Sequence, residues 1–172
     1  MKAQSPIEAD ANSRPAILGT LDKGTYSNPV IGFEIRLDPV CAIANEARAI
    51  ERLRQLPQRP SLTIRCGDDT VILSSFTLYP DEQADLRTQA DPYLAGVIDT
   101  LRFRKRGDWQ KMTINGTEVL VHEIAGPGEL GFYRGFLIGR RYVSILAIGP
   151  KEHRPQLSQI GTTLRIETSP AK

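Results

Sequence analysis

The sequence predicts an α+β fold, an antiparallel β-sheet with helices packed on both faces. Three observations carry that expectation. Asn115-Gly116 separates the β-type runs 109–114 and 117–124, and a pair of residues tolerant of positive φ between such runs closes a hairpin. Ile43, Ala47, Ile50 and Leu53 recur at helical spacing, as do Leu94, Val97, Ile98 and Leu101. The order of pieces is strand pair, helix, strand pair, helix, a run of four strands, helix. Consecutive hairpins make an antiparallel sheet, and three amphipathic helices suffice to cover its faces as an α-β-α sandwich.

Residues 1–18 mix polar side chains with Pro6 and Pro15 and have no periodicity, the composition of a flexible tail. A single α+β domain is expected over 19–167, with a short C-terminal tail at 168–172. Around Ser27-Asn28-Pro29 lie two short extended pieces, the second placing Ile31, Phe33, Ile35 and Leu37 on one face until Asp38-Pro39 stops it. The helix through Ile43 to Leu53 is ended by Pro57 and Pro60. Residues 61–65 and 70–79 are β-rich and flank the turn-forming Cys66-Gly67-Asp68-Asp69. Asp91 followed by Pro92 reads as an N-cap with proline at the first helical position, and Gly107 as the end of that helix. After the Asn-Gly hairpin come strands at 130–137 and 142–148 around Gly139-Arg140-Arg141, then a last helix carrying Leu157, Ile160 and Leu164.

Totals narrow the function classes. The 172 residues are 40% hydrophobic, enough for a buried core without help from a metal or cofactor. With 22 Lys plus Arg against 20 Asp plus Glu, the net charge of +2 gives no general attraction to nucleic acid. Apolar runs such as residues 145–148 are far short of the roughly 20 residues that span a bilayer. Ala3-Gln4-Ser5-Pro6 would suit the position after a cleaved export signal, which would make the protein periplasmic or secreted; otherwise it is cytoplasmic. Cys41 and Cys66 lack CxxC spacing and fit either two buried thiols or one disulfide.

The spacing Y-x-N-x-x-x-G-F, made by Tyr26, Asn28, Gly32 and Phe33, is followed by a strand, Pro39, two helices flanking a strand pair, an Asn-Gly meander and a C-terminal helix. In this, residues 20–166 resemble the PsbP-like or Mog-type α-β-α sandwich family. A tryptophan common in the family a little after the proline is replaced here by Cys41 or its neighbours. Members include an extrinsic photosystem subunit, a nuclear-import cofactor, bacterial lipoproteins and secretion chaperones. The resemblance implies a non-enzymatic binding scaffold whose partner varies, and it brings no catalytic residues with it.

Each candidate for chemistry has a structural counterpart. Gly126, Gly128 and Gly131 match GxGxxG, but strand-forming Phe132, Tyr133 and Phe136 follow where a nucleotide site needs a helix, so a hairpin loop is expected. His122-Glu123 lacks the second histidine of HExxH, Gly126 standing in its place. His122 alternates with Leu120 and Ile124 as a structural histidine would, and His153 lies in a polar turn, where it is expected to be solvated. Arg102, Arg104, Lys105 and Arg106 read as cations in the last turn of a helix, with Phe103 among them. Asn115-Gly116-Thr117 is also a glycosylation acceptor that the hairpin explains without sugar. A binding or accessory protein with an unknown protein partner is therefore expected, with no cofactor. Arg140, Arg141 and Tyr142 are its candidate partner contacts. The alternatives are a carrier of a small apolar ligand in a sheet-helix cleft lined by Phe76, Phe132 and Phe136, and a hydrolase using His122.

Overall fold

The computed structural model describes residues 19–29, 31–44 and 62–166. The two expected tails, and nearly all of the helix expected from Ile43 onward, lie outside them. Ile43 itself is a strand residue, paired with Ile64.

The described residues form two antiparallel sheets rather than one sheet between layers of helix, which corrects the α-β-α expectation. The smaller sheet has the order β1-β2-β3-β11 and the larger β4-β5-β6-β10-β9-β8-β7. Strands β1 (Thr20–Asp22), β2 (Thr25–Asn28) and β3 (Phe33–Arg36) come from the N-terminal region, and β11 (Arg165–Ile166) joins them from the far end of the chain. Strands β4 (Ala42–Ile43), β5 (Leu62–Cys66) and β6 (Asp69–Thr77) start the larger sheet. Helix α1 (Leu86–Leu101) then crosses to the opposite edge, and the meander β7 (Arg104–Ile114), β8 (Thr117–Gly126), β9 (Glu129–Ile138) and β10 (Arg141–Pro150) returns until β10 pairs with β6. A short 3-10 turn leads into α2 (Arg154–Gln159).

Side-chain alternation explains why two layers cover the large sheet. Val71, Leu73, Phe136, Val143 and Ile145 face Tyr26, Ile31, Phe33 and Ile35 of the small sheet and Leu157 of α2 in one apolar cluster. Ile72, Ile124, Tyr133, Leu146 and Ile148 face the other way and pack on Leu94, Val97 and Leu101 of α1. So the small sheet, with a single turn-and-a-half of helix beside it, occupies the face where helices were expected. The helix α2 stays short because Gly161 (φ 89) turns the chain toward β11.

Two helix boundaries differ from expectation for reasons that can be named. Asp85, not Asp91, caps α1, accepting from Thr88 N (2.9 Å) and Thr88 Oγ1 (2.6 Å). Pro92 lies inside the helix, where it forgoes the bond to the Thr88 carbonyl. Leu86 and Ala90 extend the buried stripe of Leu94 and Val97 N-terminally, and that packing outweighs the loss. The helix ends at Arg102 (φ 57), with Phe103 N donating back to Ile98 O at 3.0 Å, a Schellman closure without glycine. The positive φ of Gly107 (67°) is used instead in the bulge of β7 between Arg106 and Gln110. Arg104, Lys105 and Arg106 are thus strand residues and cap no helix.

The three two-residue loops of the meander follow their sequences. Asn115 (φ 48) and Gly116 (φ 82) close β7 on β8. Pro127 and Gly128 (φ 73) join the antiparallel β8 and β9, placing the GxGxxG stretch in a hairpin. Its first and last glycines serve packing: a Cβ at Gly126 would collide with the Phe103 ring, and one at Gly131 would sit 2.9 Å from Ile124.

Candidate functional site

Strand β8 sends Val119, Val121, Glu123 and Ala125 toward the small-sheet side of the large sheet. Glu123 is the lone charge in that series and lies directly opposite Phe132 of β9. Two arginines from distant parts of the chain converge on it. Arg154, at the start of α2, donates from Nη2 to Glu123 Oε2 at 2.8 Å. Arg106, next to the β7 bulge, brings Nη1 to 3.4 Å from Glu123 Oε1. That contact is an ion pair without hydrogen-bond geometry, so the buried Oε1 keeps an unused acceptor site.

Phe132 lies under both the Arg154 and the Arg134 guanidinium, each 5.8 Å from the ring centre. Arg134 is 3% exposed, and burial pulls its pKa down to about 10. Its Nη2 donates to the Ser158 carbonyl at 2.6 Å, while Nε and Nη1 are buried without a partner. A groove of about 310 Å3 opens beside these groups, lined by Arg106, Asp108, Gln110, Glu123, Phe132 and Arg154 among others. Arginine forks over an aromatic floor suit a carboxylate or another planar polar group, and they oppose a purely apolar ligand.

The other face holds a buried aromatic cluster under α1. Tyr133 and Tyr142 share a hydrogen bond at 2.7 Å, and burial, the largest cause, drives both phenol pKa values up. Phe76 and Tyr93 pack on Tyr142, and Trp109 donates its indole N–H to Asp91 Oδ1 at 2.7 Å. His122 is 2% exposed and meets Trp109 edge to face. Its Nδ1 lies 2.8 Å from the Glu123 carbonyl oxygen, and because a carbonyl only accepts, Nδ1 carries the proton. A second hollow, of about 160 Å3, is lined by Asp68, Glu129 and Gly149 among others, beside the β5–β6 and β8–β9 turns.

The expected site residues fall as follows. Cys41 and Cys66, one step beyond the β4–β5 ladder, form a disulfide with Cα atoms 4.1 Å apart. Tyr26, Asn28 and Phe33 are each 1% exposed. Asn28 Oδ1 accepts from Ile31 N at 3.0 Å, its Nδ2 donates to Tyr26 Oη at 3.2 Å, and Gly32 turns at φ 92. Tyr142 is fully buried, which removes it from any surface contact. Arg140 is exposed at a hairpin tip, with Nη2 donating to the Glu82 carbonyl at 2.8 Å, and Arg141 is half-buried beside it. Phe76 faces α1 whereas Phe132 and Phe136 face the small sheet, so the three line no common cleft. His153 is not free in solvent: its Nδ1 lies 2.9 Å from Asp69 Oδ1. Asn115 Nδ2 donates to the Leu164 carbonyl at 2.7 Å. Among the described residues no group of three His, Cys, Asp or Glu side chains could hold a metal ion, and no helix is long and apolar enough to cross a membrane.

The Arg106, Glu123, Phe132 and Arg154 cluster escaped the sequence reading. One signal was available in it: Glu123 interrupts an apolar alternation between Val121 and Ala125. The arginines gave none, since only the fold brings β7 and α2 to the same carboxylate.

No family model matches the chain, and no curated protein does. Among solved structures it is similar to cyanobacterial PsbP (CyanoP) from Synechocystis sp. PCC 6803, with a TM-score of 0.63, 8% identity, and coverage of 86% of this chain and 95% of that one. That similarity supports a PsbP-like fold. A structure from Bacteroides thetaiotaomicron overlaps 80% of this chain and 46% of its own at a TM-score of 0.40 and 9% identity, too low to carry an argument.

Proposed function

We propose that this chain is a non-catalytic binding or accessory protein, of the PsbP-like or Mog-type kind, that recognises another protein through the flank of its large sheet. The observation that carries this reading is the pair of half-exposed arginines, Arg106 and Arg154, that meet on Glu123 at the rim of an open groove, Arg154 lying over the Phe132 ring. Arginine on an aromatic base is a composition that protein interfaces favour. A hydrolase would need a base that substrate can reach, and His122 is enclosed with its proton committed to a backbone carbonyl. A carrier of an apolar ligand would need an apolar lining, where this groove has arginines and carboxylates. The Cys41–Cys66 disulfide favours an oxidising compartment as the place of action.

Site-specific photocrosslinking at Gln110, carried out in cells of the native organism, tests the reading. The expected result is a discrete adduct with one protein, lost in an Arg106→Ala, Arg154→Ala double variant. Turnover of ester or amide substrates that vanishes with His122→Ala, or an apolar small molecule retained in native mass spectrometry, would replace the reading.

A further inference from the structure

β7 is the outermost strand of the larger sheet, and among the described residues no strand pairs with its outer side. It is eleven residues long, and all but Trp109 and Ile114 are exposed. A two-residue hairpin closes on a hydrogen-bonded pair, here Ile114 with Thr117. Alternate residues back along an antiparallel strand then direct their backbone groups outward, which assigns Thr113 and Lys111 to the open side. Those groups are ready to pair with an added strand.

Charge says what kind of strand. Arg104, Lys105, Arg106 and Lys111 lie along β7 against a single acidic residue, Asp108. Lys111 and Arg106 reach Glu118 and Glu123 on the neighbouring strand, while Arg104 and Lys105 make no ion pair among the described residues. A second copy of β7 would bring the same surplus of cations to the shared edge, where like charges repel. The bulge at Gly107 likewise discourages indiscriminate edge pairing. A strand carrying carboxylates meets neither obstacle on the straight stretch from Gln110 to Ile114. Continued past the bulge, it brings its side chains to the groove edge formed by Arg106 and Arg154.

We propose that β7 captures an extended acidic segment of a partner protein as an additional antiparallel strand, pairing with the outward backbone groups of Lys111 and Thr113 and directing a carboxylate to Arg106 and Arg154. This deepens the protein-binding reading and rests on it, since it names how and by what chemistry the flank of the sheet takes its partner.

The experiment uses the full chain and a short fluorescein-labelled peptide alternating glutamate with valine, followed by anisotropy. The acidic peptide binds. A version with lysine for glutamate binds at least about tenfold more weakly, as expected when complementary charges become like charges. A version of unchanged charge, N-methylated at alternate backbone nitrogens, also loses at least about tenfold, because it cannot complete the ladder. Thr113→Pro removes an outward N–H without breaking a β7–β8 bond and weakens binding similarly; the methylated peptide gives the same answer should that variant fold poorly. Failure of the acidic peptide to bind at millimolar concentration overturns the proposal, as does equal binding of the methylated peptide. Self-association of the chain alone that disappears with Thr113→Pro would assign the edge to a second copy and also overturn it. A Gln110 crosslink to a partner that persists when the peptide fails sinks only this inference; loss of the crosslink sinks the broader reading.

Discussion

Strands β10 and β7 are of nearly equal length, belong to the same sheet and lie in the same meander, yet they differ in almost every physical respect. Residues Tyr142 through Gly149 of β10 are buried, with β6 and β9 on its flanks and apolar layers on both faces. β7 has one neighbouring strand among the described residues, a bulge, four cations and almost continuous exposure. A strand enclosed on four sides can hold only what packs, which is why Ile145-Leu146-Ala147-Ile148 is apolar without a break. A strand at an open edge is released from packing, and its composition is free to serve solubility and recognition. The centre of the sheet thus records the fold, and its edge holds the groups available to a partner.

The comparison predicts a gradient of mutational cost from centre to edge. Phe136→Ala and Phe33→Ala remove two rings that meet edge to face at 5.8 Å in the core, and each should cost about 3–5 kcal/mol in chemical denaturation. An unchanged midpoint for either would break the contrast at its strongest point. Replacing both Cys41 and Cys66 by serine opens a loop with a sequence separation of 25 and should cost about 3 kcal/mol. Gly135→Ala adds a Cβ that collides with Tyr142 Oη, and overpacking of this kind costs about 1–3 kcal/mol. On β7, Lys111→Ala should change stability by no more than about 0.5 kcal/mol, since its ion pair with Glu118 is exposed.

A pH series separates one further contact from the rest. The hydrogen bond to Asp69 raises the pKa of His153 above its ordinary value of about 6.5. A raised folded-state pKa means that the stabilisation is fully present below the unfolded value and is lost as pH rises through the folded one. The difference in melting temperature between the parent and His153→Gln should therefore be largest in acid and shrink toward alkaline pH. A gap independent of pH would place the effect in packing instead.

Much of the larger sheet was legible because its signals are local. The Asn115-Gly116 turn, the Gly67-Asp68 turn and the period-two runs on either side each specify a hairpin within about a dozen residues. The smaller sheet was not, although Phe33 and Ile35 were rightly placed on an apolar face. Its closure depends on Ile166 pairing with Phe33, and no local pattern announces a partner so far along the chain. The start of α1 was misplaced by trusting the proline rule at Asp91-Pro92 over the Asp85 and Thr88 pair that caps it. Of the candidate site, Glu123 could have been picked out as a charge on an inward face. Arg106 and Arg154 could not, because their meeting is a property of the topology.

Amide hydrogen exchange read residue by residue, with and without the glutamate-valine peptide, tests the account most directly. Without peptide, the amides of Lys111 and Thr113 should exchange fast while those of Ile145 and Leu146 in β10 are strongly protected. At saturating peptide the account predicts new protection at Lys111 and Thr113, with β10 unchanged. Unaltered exchange along β7 at saturation, or protection appearing elsewhere on the surface, would contradict it.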